Sequence, residues 1–171
     1  MMSLATFDTP LGSMVAVGDD HFLYLLEFED RPELAKELEL LQKKTNKNLH
    51  PGMTPLLELI QKEISLYFSG ELTVFETPIN FMGTPFQQQV WTGLQSIPFG
   101  ETRSYAELAH FIHNPSACRA VGHANGNNQL AIIVPCHRVI NANGKLGGYA
   151  GGISRKEWLL SHEKQSLQDI P

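Results

Sequence analysis

The chain has 171 residues, which at roughly 100 to 200 residues per domain suits one domain or two small ones and leaves apolar sequence enough for a core without disulfide or metal staples. Its composition, 42% hydrophobic and 18% charged, is that of an ordinary globular protein, and no apolar run approaches the ~18 residues of a membrane span. The net charge of -5 is unevenly spread, with 6 Lys and Arg against 13 Asp and Glu in residues 1–83 and 7 against 5 in residues 84–171, so only the second half has a field that favours a polyanion.

The opening MMSLATFDTP lacks the basic and long apolar segments of a secretory signal, which points to a cytoplasmic protein, and two cysteines, Cys118 and Cys136, fit a reducing compartment. The runs LATF, SMVAV and FLYLLEF, separated by DTPLG and GDDH, predict an antiparallel meander. Asp30 and Glu33 offer a capping box, and Leu34, Leu38 and Leu41 recur at helical spacing to about Lys44. TNKNLHPGM reads as a loop. Thr54 as N-cap, Pro55 at the first helical position, and Leu56, Ile60, Ile64 and Phe68 on one face predict a second helix ending near Gly70. Residues 1–82 are therefore expected to form a small α+β scaffold domain.

Residues 83–171 read as a second, mainly helical domain. Thr84-Pro85 opens an amphipathic helix through Phe86, Val90, Trp91 and Leu94 that stops before Pro98. Ser104 and Glu107 form a capping box for SYAELAHFIH, and Asn114-Pro115 opens SACRAVGHAN after a short connection, a candidate helix-turn-helix. Leu130 to Pro135 reads as a short buried strand or extended segment. A glycine-dense loop from Gly144 to Gly152 follows, and Ser154 with Glu157 caps a last helix, SRKEWLLSHE. There is no internal repeat and no low-complexity linker.

The sharpest chemical feature is Pro135-Cys136-His137-Arg138. In a strand, Cys136 and His137 would point to opposite faces, but Pro135 ends a strand and lets the cysteine begin a turn. An imidazole and a guanidinium beside a thiol favour its thiolate, the reactive form. Taken alone, a cysteine after an apolar run is more simply a small buried hydrophobe. His110 and His113 lack the neighbours of a metal site. The glycine loop lacks the GK[ST] ending of a nucleotide-binding loop, and suits close backbone approach to a ligand. Individually, Arg119 reads as a solvated charge and Tyr105 as a half-buried aromatic. Glu163, at the end of the predicted last helix, opposes the helix dipole unless it has a partner such as a buried imidazole; solvent exposure is its simplest account.

Together, IVPCHRVI at 133–140, YAGG at 149–152, KEWLLSHE at 156–163, and SYAELA followed by RAVGHANGNN resemble the O6-alkylguanine-DNA alkyltransferases, in their bacterial stand-alone form. The resemblance is continuous from Thr84 to Glu163 and weaker before it. It implies a ribonuclease H-like α+β first domain with an antiparallel sheet, and a second domain with a winged-helix-like helix-turn-helix. It implies single-turnover transfer of an alkyl group from guanine O6 in duplex DNA, and possible action on O4-alkylthymine, to Cys136, with no cofactor and no metal. In that scheme His137 is the base, acting through a water; Glu163 orients His137; Tyr105 donates a proton to the leaving guanine; and Asn128 is a hinge between the DNA-binding helix and the cysteine segment. The base is flipped out of the stack. Arg119 fills the gap, while Ser116, Ala117 and Ala120, with Tyr105, allow close approach in the minor groove. Pro135, Val139, Tyr149, Ala150 and Gly151 wall the pocket. Ala150 stands where some relatives carry a serine, and Cys118 is expected to be unreactive. The implied partner is alkylated double-stranded DNA, with no membrane, bound by a monomer with cooperativity on DNA left open. Two other readings are a lesion sensor that flips the base without reacting, disfavoured by Cys136, and a Cys-His hydrolase, which would turn over repeatedly.

Overall fold

Short apolar runs separated by turn residues build the predicted meander: β1 (Met2–Thr9), β2 (Gly12–Gly18) and β3 (Leu23–Phe28), with Phe7 opposite Met14 and Ala16 opposite Leu26 in antiparallel registers. These coordinates are a computed structural model describing residues 1–169, and they divide into two compact units, Met1–Met82 and Gly83–Pro171. In the first, α1 (Leu34–Thr45) ends on Asn46, whose left-handed backbone (φ 55) lets its N–H reach the Gln42 carbonyl. The segment read as a loop then contains β4 (Leu49–Pro51). It pairs parallel with β1, so the sheet is mixed, in the order β3-β2-β1-β4, and not wholly antiparallel. Three residues ending in proline are too few to show a period of two, which is why this edge strand escapes sequence reading.

The expected Asp30–Glu33 capping box does not form: Glu33 occupies the N-cap position of α1 with helical backbone and no side-chain cap. The cap of α2 (Pro55–Phe68) does form, Thr54 Oγ1 accepting from the Leu57 N–H at 3.2 Å. The buried stripe of α2 is Leu57, Ile60, Ile64 and Tyr67, with Leu56 and Phe68 only half-buried, a rotation of the expected face by about one position. Met2, Val15, Val17, Leu25 and Leu41 form one core cluster of this unit.

The second unit is built on α3 (Pro85–Gln95), α4 (Tyr105–Phe111), α5 (Cys118–Gly126) and α6 (Ile153–Gln168). Reciprocal capping boxes start α3, through Thr84 and Gln87, and α4, through Ser104 and Glu107. After α4 the chain turns sharply: the Asn114 N–H reaches the Ala109 carbonyl at 2.9 Å and the His113 N–H reaches His110 at 3.0 Å, with His113 left-handed at φ 61. This double back-bond is a Schellman turn. Helix α5 begins at Cys118, later than the expected Asn114-Pro115 start, because Pro115 and Ser116 remain in the turn. Trp91 of α3 donates its indole N–H to the Ala124 carbonyl at 2.9 Å, fixing α5 against α3.

Leu130–Pro135 is not a strand. It coils in turns, with Val134 N–H bonded to the Leu130 carbonyl at 2.9 Å. The paired strands are instead β5 (Arg103–Ser104) and β6 (Val139–Ile140), which run parallel. Helix α6 starts at Ile153 behind Gly152, without the expected Ser154–Glu157 side-chain cap. No helix among the described residues is long and apolar enough to cross a membrane.

The first unit buries an acidic cluster. Glu27 and Glu37 are 2% and 6% exposed, and Arg31 bonds to Glu27 and lies 3.4 Å from Glu37. Burial pushes the Glu27 carboxyl up to about 9, with the neighbouring Glu37 raising it further and Arg31 only partly opposing. A carboxyl whose folded pKa exceeds its unfolded one stabilises most below the unfolded value near 4.3, and that stabilisation is lost as pH rises through the folded value. Thermal stability should therefore decline as the pH rises from 5 toward about 9. Glu27→Gln should flatten the decline in melting curves; parallel curves for both proteins would show that Glu27 does not hold the proton.

Candidate active site

Cys136, His137 and Arg138 form one turn of 3-10 helix between the coiled 130–135 segment and β6. Its tighter winding places three successive side chains around a common axis, which a strand cannot do. All three are buried: Cys136 is 4%, His137 0% and Arg138 6% exposed. His137 and Arg138 share one target, Glu163 of α6, itself fully buried and far from the solvent exposure that is the simplest reading of a late-helix glutamate. Helix α6 continues to Gln168, so Glu163 is not at its end.

The Glu163 carboxylate collects four donors. His137 Nε2 lies 2.6 Å from Oε2, Arg138 gives Nε to Oε1 at 2.8 Å and Nη2 to Oε2 at 3.0 Å, and the Gly100 N–H reaches Oε1 at 3.1 Å. Gly100 is left-handed (φ 83), and a β-carbon there would lie 2.1 Å from Leu167 Cδ1, so glycine alone permits this approach. Arg138 also donates to the Ile97 carbonyl at 2.7 Å and lies over the Phe99 ring, 5.7 Å from its centre. Burial raises the Glu163 pKa, but the bonds and charges of His137 and Arg138 outweigh it and hold the carboxyl well below the usual carboxylate range. For His137, burial depresses the pKa more than Glu163 raises it.

The chemical result is a neutral imidazole beside an ionised carboxylate. Because that carboxylate can only accept, His137 carries its proton on Nε2. Nδ1 is then a basic lone pair, buried and without a hydrogen-bond partner among the protein atoms. Such a tautomer, fixed by a third group, is the arrangement of an activated nucleophile.

Other elements converge on the same cysteine. Tyr105, the half-buried first residue of α4, has its hydroxyl pKa raised by burial and then by the charge of Cys136, against a bond from Asn125. Asn125 of α5 donates Nδ2 to the Cys136 carbonyl at 3.3 Å. Asn128 binds the segment before the cysteine: Nδ2 donates to Val134 O at 2.8 Å, and Oδ1 accepts from the Leu130 N–H at 3.0 Å. Asn125, unnoticed in the sequence, thus makes a direct bond from the α5 helix to the Cys136 peptide.

Lys156 is a second residue that the sequence did not single out. It is fully buried, and its ammonium donates to the carbonyls of Val139 at 2.6 Å, Leu146 at 2.5 Å and Gly148 at 3.1 Å. It ties the glycine-rich loop to β6. Burial lowers its pKa to about 8, with the charge of Cys136 opposing. Its place beside Arg155 and three residues before Leu159, in a basic, amphipathic pattern, gave no signal of burial; the apolar Leu159 on its own helix face was the available clue.

The remaining expected site residues stand apart from this network. Pro135 and Val139 are buried beside the cysteine turn, and Tyr149, Ala150 and Gly151 are half-buried in the loop that Lys156 anchors. Ser116, Cys118, Arg119 and Ala120 are exposed and Ala117 half-buried at the start of α5. A cavity of about 430 Å³ lined by Arg103, Glu107, His110 and Phe111 contains none of the expected site residues. No group of three metal-ligating side chains occurs among the described residues.

Residues 85–165 match the family model for the DNA-binding domain of 6-O-methylguanine DNA methyltransferase. A methylated-DNA–protein-cysteine methyltransferase of Mycolicibacterium paratuberculosis is 42% identical over 165 residues, covering 96% of this chain and 94% of that protein. One from Methanosarcina acetivorans is 42% identical over 162 residues, covering 95% and 98%. The crystal structure of Mycobacterium tuberculosis OGT in complex with DNA superposes with a TM-score of 0.83 at 42% identity, over 96% of this chain and 94% of that one.

The carboxylate network predicts the cost of breaking it. Glu163→Gln should destabilise the protein by about 3–5 kcal/mol by leaving the Arg138 guanidinium buried without its counter-charge. Adding Arg138→Met to Glu163→Gln should recover part of that loss in chemical denaturation. An additive double variant would mean that the two side chains do not act as a pair.

Proposed function

This chain belongs to the methylated-DNA–protein-cysteine methyltransferase family, and from that premise we propose how its own residues carry out direct repair of alkylated DNA. The observation that carries the reading is the buried chain from Arg138 through Glu163 to His137, next to Cys136. It supplies a fixed base at a thiol inside a DNA-binding family domain.

A water bridging Cys136 Sγ and His137 Nδ1 passes the thiol proton to the imidazole, whose new charge is met by Glu163. The thiolate attacks the alkyl carbon on guanine O6; the carbon–oxygen bond breaks as the carbon–sulfur bond forms. The departing guanine takes a proton from Tyr105, whose raised pKa keeps the hydroxyl protonated at neutral pH. The product is a thioether, which no group in the site can cleave, so each molecule acts once. That is why the reaction needs no cofactor.

A base stacked in a duplex cannot align its O6 substituent with a buried sulfur, so the nucleotide is flipped out. Arg119, exposed on α5, takes its place in the stack, and the small Ser116, Ala117 and Ala120 let that helix approach the minor groove. Tyr149, Ala150 and Gly151 on one side, and Pro135 and Val139 on the other, enclose the flipped base. Asn125 and Asn128 couple helix α5 and its following segment to the cysteine turn. In fold terms, the α4–α5 pair flanked by the β5–β6 ladder supports a winged-helix-like second unit, and the β3-β2-β1 meander packed by α2 supports a ribonuclease H-like first one.

The test is intact-protein mass with peptide mapping after incubation with a duplex bearing one O6-methylguanine. One methyl group should appear, on Cys136, and never more than one per protein. Unmodified protein that still binds the lesion would mean a sensor, and repeated turnover of small acyl substrates a hydrolase. Cys136→Ser should take up no methyl while retaining duplex binding. Arg119→Ala should slow repair of the duplex by at least about tenfold while leaving reaction with free O6-methylguanine nearly unchanged; equal losses on both would remove Arg119 from the flipping step.

A further inference from the structure

Helix α4, the turn after it and helix α5 carry few permanent charges. From Ser104 to Asn127 the sequence has one arginine, Arg119, and one glutamate, Glu107, together with three exposed histidines, His110, His113 and His123. With neutral imidazoles the segment has no net charge, and each protonated imidazole adds one positive charge. Its attraction for a phosphate backbone is therefore set largely by histidine protonation.

The three imidazoles are not equivalent. His110 lines a cavity together with the charged Glu107 and Arg103. His123 lies one helical turn after Arg119, in the last turn of α5. His113 occupies the left-handed position of the Schellman turn, φ 61, where glycine is the natural occupant and a side chain costs about 1 kcal/mol. Its surroundings include Gln88, Gln89 and Thr92 of α3, and no other charged or titratable side chain lines that depression among the described residues. An exposed imidazole is thus held on a strained turn, directly before the DNA-recognition helix, with no acidic partner in the cavity that it lines.

We propose that His113 is a proton-dependent phosphate ligand of the DNA interface: its imidazolium donates to a phosphodiester oxygen at the edge of the helix-turn-helix, with His123 extending the positive strip of Arg119. The inference rests on the DNA-binding reading above. Because the protonated form binds DNA preferentially, affinity is greater at acidic than at alkaline pH.

The experiment measures affinity of the full chain for an unmodified duplex by fluorescence anisotropy across a salt series at about pH 6 and about pH 8. Wild type should bind about threefold or more tightly at the lower pH, with a salt slope steeper by about 0.9 for each phosphate newly neutralised. His113→Gly should lose about one such increment at the lower pH while its melting temperature stays equal or rises, since glycine relieves the left-handed turn. His113→Asn, which tolerates that backbone without gaining charge, should lose the same increment. Undiminished pH dependence in His113→Gly overturns the assignment, as does its transfer entirely to His123→Ala. Lower melting temperature with weaker binding at both pH values would assign His113 to the turn alone. Absence of wild-type binding at either pH would overturn the DNA-binding reading as well, a result distinct from the others.

Discussion

The second unit is organised by a carboxylate that has no water to solvate it. Glu163 is fully buried on α6, and an ion in that position survives only if fixed donors replace its hydration. Arg138 supplies two, His137 one and the Gly100 backbone one. Each of these bonds also fixes something else. The guanidinium pins the cysteine turn to the loop at Ile97, the imidazole is held in a single tautomer, and the Gly100 turn is held against α6. Packing and chemistry therefore depend on the same oxygen atoms.

The approach to Cys136 carries strain. Ile132 sits at φ 72, a conformation that costs a β-branched residue on the order of 1–3 kcal/mol. The segment stays coiled because Asn128 grips the backbone of Leu130 and Val134 together, and because the Cys136 N–H closes a tight turn onto the Val134 carbonyl at 2.8 Å. With Asn125 holding the Cys136 carbonyl, helix α5 and the cysteine turn are joined by a direct hydrogen bond. Lys156 does the same for the loop carrying Tyr149. The backbone polar groups around the site are thus satisfied by side chains and not by a regular ladder.

Local signals were legible where the physics is local. Thr84-Pro85, Thr54-Pro55 and Ser104 with Glu107 mark helix starts because a cap and its helix lie within four residues. The meander followed from short apolar runs and the turn residues between them. Failures came where a distant group competes with the local preference. The apolar run before Pro135 has strand composition, yet the Asn128 amide winds it into turns. The three-residue β4 exists because β1 offers a free edge. Ser154 does not cap α6, which starts earlier at Ile153, while Asp30 and Glu33 sit where α1 is entered through a helical turn.

From the sequence alone came the two-part α+β organisation and the family resemblance that singled out Cys136, His137, Glu163 and Tyr105, because the types and order of its motifs are local to the chain. Tertiary structure decided which atoms meet: that Glu163 is buried and shared with Arg138, that His137 presents Nδ1 and not Nε2, and that Asn125 and Lys156 hold the backbone around Cys136. Hydrogen bonds between residues far apart in sequence have a strength set by burial and angle, and neither quantity exists until the chain has closed on itself.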